Sequence, residues 1–272
     1  MHKFPLGSRA IWQTSVFIIA LLSASHSFAS KDCNNVAVIT GFWPPTNEML
    51  RQWSTSPAQN PEGWQGANWR GLGYDVYAFF PEFPPDGDPT NDNIGDPGSV
   101  GSVSSDFQVD YQDASADFWR IMDEYQPRIL ITTSRGGDIQ WELEAIEGGH
   151  STWISDRYGS QTHPLPGTVE RRTTDAITRY ADVTIDSKLP LLMLAEELRK
   201  AFPNNQIEID KATSGNYLSG FVGLHGIYYS TITATNLTAG HIHVGKTLPI
   251  GEARALMQKT VELVLAHYPS CQ

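Results

Sequence analysis

Cysteine is nearly absent from this chain: Cys33 and Cys271 are the only two in 272 residues. Neither sits beside a recognisable motif, which argues against a catalytic thiol. In an oxidising compartment the two are expected to pair and tie the ends of the exported chain together. Basic residues are also in deficit, 19 against 30 acidic ones, for a net charge of −11. That is the wrong sign for a general binder of phosphate backbones, so nucleic acid is not an expected partner. The acidic balance itself is read as a solubility device. Beyond residue 29 no apolar run is long enough to cross a bilayer, which takes about 20 residues, and no internal repeat is visible.

At the front the chain carries Lys3 and Arg9, an apolar stretch from Ile11 to Leu22, and Ser27-Phe28-Ala29 before Ser30. This three-part build reads as a secretory signal over residues 1–29, so the protein is expected to be secreted or periplasmic and free of the membrane after cleavage. The apolar stretch is short and interrupted by Gln13, Thr14 and Ser15, which makes a retained anchor the lesser reading. Residues 30–272 fit one α/β domain with a sizeable core.

Short apolar runs alternate with amphipathic ones. Strands are expected at Asn35–Gly41, Tyr74–Phe80, Arg128–Thr133, Gln206–Asp210 and Ala239–Gly245, with Ser134-Arg135-Gly136-Gly137 as the turn leaving the third. Helices are expected at Asn47–Trp53, at Asp117–Tyr125 with Ser115 as cap, from Pro190 to Ala201, and from Glu252 to Ala266. The alternation predicts an α/β fold, a mainly parallel sheet covered on both faces. Between Pro81 and Ser105, Pro, Gly, Asp, Asn and Ser dominate, so a long loop is expected there. Asp86, Asp88 and Asp92 in it lack the Gly and closing Glu of a calcium loop and are read as solvated turn residues.

Two features carry chemistry. Thr213-Ser214-Gly215-Asn216-Tyr217-Leu218-Ser219-Gly220 is a small-residue turn leading into an apolar helix. Ser219 would stand where backbone N–H groups can hold a developing oxyanion; a helix cap is the plainer role for such a serine. In Ala239–Gly245, His241 and His243 share one face of a strand, and a histidine there could take the proton of Ser219. A His-x-His pair also raises zinc, with His150, His163 or His225 as a third ligand. No second paired motif exists, so neither metal nor cofactor is expected.

These features resemble the pyroglutamyl peptidase I family, cysteine peptidases that remove an N-terminal pyroglutamyl residue, and the resemblance runs along most of the chain after the signal. Val38-Ile39-Thr40-Gly41-Phe42, with Pro45 and Asn47, is similar to the family's opening strand and its ring-bracketing loop, Pro45 standing where a second Phe is usual. Leu189-Pro190 is similar to the entry of the helix before the nucleophile. Ser214-Gly215-Asn216-Tyr217-Leu218-Ser219 resembles the nucleophile motif with Ser219 at the Cys position, Phe221 and Tyr228 extending the match, and His243-Val244 resembles the segment of the catalytic His, with Gly245 for Pro. Ile139–Ile146 is similar to the segment carrying the acid: aligning Ile139 and Ala145 puts it at Glu142, and a slip of two puts it at Glu144. Solvated acids on a surface turn is the alternative for both. A family Arg has Trp153 near its place, with Asp156 retained; Arg135 and Arg157 are the candidates to replace it.

The resemblance implies a three-layer α/β/α sandwich of the kind nucleoside phosphorylases also use, so fold alone does not give activity. It implies catalytic residues Ser219, His243 and Glu142, substrate contacts at Phe42, Pro45 and Asn47, and a peptide or small-molecule substrate. A serine hydroxyl reacts only with a well-placed base, whereas a thiol is partly ionised already. Two functions follow: a hydrolase working by Ser-His-Glu chemistry, or a binding protein for peptides or small cyclic amides that keeps the pocket and has lost hydrolysis. Nucleoside binding is a third and weaker reading.

Overall fold

The computed structural model describes residues 33–57, 59–81, 109–156, 162–164, 177 and 179–271. The signal segment, Asp86, Asp88, Asp92, all but the first residue of the loop from Pro81 to Ser105, and Arg157 lie outside the described residues.

Apolar runs without alternation make strands that are buried on both faces. β1 (Val36–Thr40) and the first six residues of β3 (Ile129–Gly136) are buried throughout, and β2 (Asp75–Phe79) lies at the edge beside β1. With β4 (Trp141–Glu144), β7 (Ile207–Asp210) and β8 (Thr238–Gly245) they form one sheet in the order β2-β1-β3-β8-β4-β7. The ladders β1–β2, β1–β3 and β3–β8 are parallel, while β4 runs antiparallel to β8 and parallel to β7. β5 (Ile146–Gly148) and β6 (Thr184–Asp186) make a separate antiparallel ribbon.

Helices cover both faces, which makes the α/β/α layering. α1 (Tyr111–Tyr125) and α3 (Leu218–Ile232) pack with Val38, Leu130 and Ala239 of the sheet. α2 (Leu191–Ala201), α4 (Ile250–His267) and the 3-10 turn Glu48–Trp53 pack on the opposite face with Ile39, Ile131 and Val244. α3 is apolar almost all round, which is the pattern of a helix enclosed by its neighbours. It lies close to the sheet because it carries glycines there: a Cβ on Gly226 would come within 2.9 Å of Thr132 Cγ2, and one on Gly223 within 2.7 Å of Glu147.

Three local expectations are corrected. α1 starts six residues earlier than the apolar pattern indicates, because the Asp110 carboxylate accepts the N–H groups of Gln112 and Asp113 and so caps it; Ser115 is inside the helix, bonded to His225. Ser134 and Arg135 do not form a turn but continue β3, which is held to Gly136 by pairing with β8. Finally, the acids of the segment around Glu142 are on a sheet strand, not a surface turn. At the edge where β1 begins, Cys33 and Cys271 form a disulfide with Cα atoms 6.2 Å apart. No helix among the described residues is long and apolar enough to cross a membrane.

Candidate active site

A cavity of about 220 Å³ opens at the C-terminal edge of β1 and β3. Its aromatic wall, Phe42 and Trp43, comes from the turn after β1. That turn is tight. The Phe42 N–H donates to Thr46 Oγ1 at 2.9 Å, and Thr46 Oγ1 donates to the Trp43 carbonyl at 2.7 Å. Gly41 is required there, since a Cβ would sit 2.4 Å from the Thr46 carbonyl oxygen. Pro45 follows a cis peptide bond and is not among the cavity-lining residues. Asn47 is fully buried, with Oδ1 accepting the Glu48 N–H at 2.7 Å, so it holds the turn and does not face the cavity.

Ser219 lines the cavity from the start of α3, with Tyr217 and Leu218. Tyr217 is the extended residue before the helix and provides no side-chain cap. The first helical bond runs from Phe221 N–H to the Tyr217 carbonyl. The N–H groups of Leu218, Ser219 and Gly220 therefore have no partner among the described residues, the usual state of an uncapped helix start. Such an end attracts negative charge. The preceding loop folds back on it: Gly215 has φ +88°, and a Cβ on Gly220 would lie 1.9 Å from the Gly215 carbonyl oxygen.

His243 stands near the same edge, register partner of Ser134 across the β3–β8 ladder, and Ser134 lines the cavity with Ser219. Its Nδ1 is 3.0 Å from Glu144 Oε1 and 3.7 Å from Glu142 Oε2. Both acids reach it because β4 runs antiparallel to β8, with Glu142 opposite His243 and Glu144 diagonal to it. Gly136 leaves them room, since a Cβ there would meet both His243 and Glu142 within 2.9 Å. Glu144 is wholly buried and Glu142 partly exposed. The 3.0 Å approach brings Nδ1 within hydrogen-bonding distance of the carboxylate, and His243 lowers the Glu144 pKa through it. Burial pushes both carboxyls above their ordinary range, and the His243 imidazole pulls them back down. The negative charge of Asp210 raises both, Glu208 adds to the rise of Glu142, and Glu142 adds to that of Glu144. No hydrogen bond joins Ser219 Oγ to His243 among the described residues, while His243 Nε2 is left available on the ring edge away from the acids.

His241 does something different. Its Nδ1 contacts Thr132 Oγ1 and its Nε2 contacts Ser134 Oγ, each at 2.8 Å, so both ring nitrogens are engaged. Burial holds its pKa well below the ordinary value, so the ring is neutral and braces β3 against β8. His225, buried with its pKa lowered to about 4 by desolvation, bonds the Phe221 carbonyl and Ser115. Neither offers a free nitrogen to a metal. Glu142, Glu144 and His243 do come together, with one ligand atom from each within 4.8 Å of the others, a grouping compact enough for a cation.

Two further residues have a part in the site: Arg135, one of the two candidates to replace the family arginine, and Glu147, which escapes motif reading. Arg135 lines the cavity with its guanidinium carbon 5.2 Å from the Trp43 ring centroid. Glu147 is wholly buried beneath α3 and accepts the Ser214 hydroxyl and, at 3.2 Å, the Ser214 N–H, so it anchors the loop that delivers Ser219. Burial raises its pKa strongly, and Glu144 adds to the shift. Its only sequence signal is an acid among small and apolar residues just after β4.

Layering and strand order define an α/β/α protein with a cavity at the edge of its sheet. Its fold is that of the pyrrolidone carboxyl peptidases. The chain is similar to pyrrolidone carboxyl peptidase from Pyrococcus furiosus, with a TM-score of 0.55 and 15% identity over 85% of this chain and 99% of that one. Against the enzyme from Thermococcus litoralis the TM-score is 0.54, with 15% identity over 88% and 98% of the two chains. No family model and no curated protein matches the sequence.

Proposed function

We propose that this protein is an exported amide hydrolase of the pyroglutamyl-peptidase kind, in which a glutamate, His243 and Ser219 act in sequence. The observation that carries the reading is the placement of His243: its Nδ1 faces Glu144 and Glu142, and its strand neighbour Ser134 shares a cavity with Ser219. An imidazole oriented by an acid at Nδ1 presents Nε2 as base. Ser219 Oγ attacks the substrate carbonyl and its proton passes to His243. The C–N bond breaks, the leaving amine takes that proton, and water releases the acyl group by the reverse relay. The oxyanion falls to the open N–H groups at the start of α3. The Phe42 N–H is already given to Thr46, so it does not contribute. Glu144 is the nearer and better-buried orienting acid, with Glu142 beside it. The fold shared with pyrrolidone carboxyl peptidases supports a small acyl group in the aromatic-walled cavity, and the disulfide is in keeping with an oxidising compartment.

Residues 30–272 incubated with a panel of chromogenic acyl amides and esters test this. Ser219→Ala and His243→Ala should each lower kcat/KM by about 10⁴-fold or more, and turnover should survive a chelator. Activity that is lost on chelation and restored by zinc would instead assign Glu142, Glu144 and His243 to a cation. A second reading, ligand binding without hydrolysis, draws on the missing hydrogen bond between Ser219 and His243; it predicts an inert wild type that binds the same acyl amides.

A further inference from the structure

Among the described residues, Arg135 is a cation without a counterion in the wall of the candidate active site. It is half-buried, makes no hydrogen bond or ion pair among the described residues, and lies 5.2 Å from the Trp43 ring centroid. The acids nearby in sequence are engaged elsewhere. Asp138 pairs with Lys246 at 2.8 Å, and Glu142 and Glu144 both face His243. The other half-buried arginines among the described residues are satisfied: Arg51 donates to Glu48 at 2.6 Å and Arg128 to Asn35 Oδ1 at 2.8 Å. A guanidinium withdrawn from water without a partner is costly, and desolvation lowers the Arg135 pKa accordingly. A fork of donors beside an aromatic plane suits one ligand group above others, a planar carboxylate.

We propose that Arg135 is the specificity residue of the cavity and that the acyl group accepted there bears a free carboxylate, as in a mono-amide of a short dicarboxylic acid. This rests on the reading of the cavity as the acyl pocket of a serine hydrolase. The cavity volume of about 220 Å³ admits a small acyl chain, whose scissile carbonyl meets Ser219 while its far carboxylate meets Arg135. A neutral lactam such as pyroglutamyl leaves the guanidinium unpaired, so the substrate class differs from that named for the proteins of the same fold. Hydrolysis of a glutaryl anilide would form the Ser219 Oγ–acyl bond, break the C–N bond, pass the serine proton through His243 to the aniline nitrogen, and consume one water in releasing glutarate.

Binding separates this inference from the catalytic one. In Ser219→Ala protein, titration calorimetry should find N-glutaryl-4-nitroanilide bound at least about tenfold more tightly than its methyl ester or pyroglutamyl-4-nitroanilide, the worth of one charge-assisted pair. Arg135→Gln in that background should erase the preference and Arg135→Lys should keep part of it, with unchanged circular dichroism in both. A preference in Ser219→Ala alongside a wild type that turns over no probe upholds the carboxylate subsite and refutes the hydrolase. The inference is overturned if ester or lactam binds as well as the free acid, or if Arg135→Gln retains the preference.

Discussion

His243 is flanked by two carboxylates with unequal claims on it. Glu144 comes within 3.0 Å of Nδ1 and is wholly buried, whereas Glu142 stays at 3.7 Å with partial access to water. A buried acid that cannot be solvated exerts its full charge on the imidazole. Glu144→Gln should therefore reduce kcat/KM by up to about 10⁴-fold, as loss of the orienting acid does in a Ser-His-acid system, and Glu142→Gln by no more than about tenfold. The pH profile provides a second readout. Glu144 must be ionised to act, and burial raises its pKa, so its titration contributes to the acid limb of kcat/KM from above the ordinary carboxylate range. Removing the Glu142 charge relieves one of the influences that raise Glu144, so in Glu142→Gln that limb should move to lower pH. Equal losses in the two variants, or a limb that moves upward in Glu142→Gln, would contradict this division of roles. Motif alignment reaches Glu142 first; the preference for Glu144 depends on the antiparallel β4–β8 ladder, which sequence spacing does not reveal.

At the scale of elements, α3 is the part on which the site depends. Its glycines permit contacts no side chain would tolerate, and Gly220 is the tightest, with a Cβ 1.9 Å from the backbone oxygen of Gly215. Backbone cannot yield as a flexible side chain can, so Gly220→Ala should force the loop off the helix start and cost about 1–3 kcal/mol, typical of overpacking. For a domain of this size that is a fall in Tm of roughly 2–12 °C. Because the same movement disturbs the N–H groups at Ser219, turnover should fall with it, whereas Gly251→Ala, at a position where a Cβ meets nothing within 4 Å, should change neither. A Gly220→Ala protein with unaltered Tm and kcat/KM would show that the loop is not built as described. The glycine-flanked Ser219 was legible as a turn into a helix. What was not legible is that α3 has no side-chain cap, or that buried Glu147 holds its loop, because both arise from contacts between segments distant in sequence.

For the whole molecule, the Cys33–Cys271 disulfide closes a loop of 238 residues at the edge where β1 begins, while the cavity opens where β1 ends. Cross-linking so long a loop restricts the unfolded chain, an effect of about 2–5 kcal/mol. Cys33→Ser with Cys271→Ser should lower Tm by several degrees and leave kcat/KM within about twofold. Lost activity at a temperature where the variant is still folded would mean the two edges are coupled.

The α/β class, the strand runs at 36–40 and 129–133, the helices after Pro190 and before His267, and the positions of Ser219 at a helix start and His243 on a strand could all be read from the chain. Each is a local property, set by apolar periodicity, turn residues or a short motif. The order of strands, the antiparallel course of β4, the unequal distances of Glu144 and Glu142 from His243, the loss of Phe42 N–H to Thr46 and the contact of Arg135 with Trp43 were decided only in the folded molecule. They depend on distance and desolvation between residues far apart in sequence, and a chain has neither until it packs.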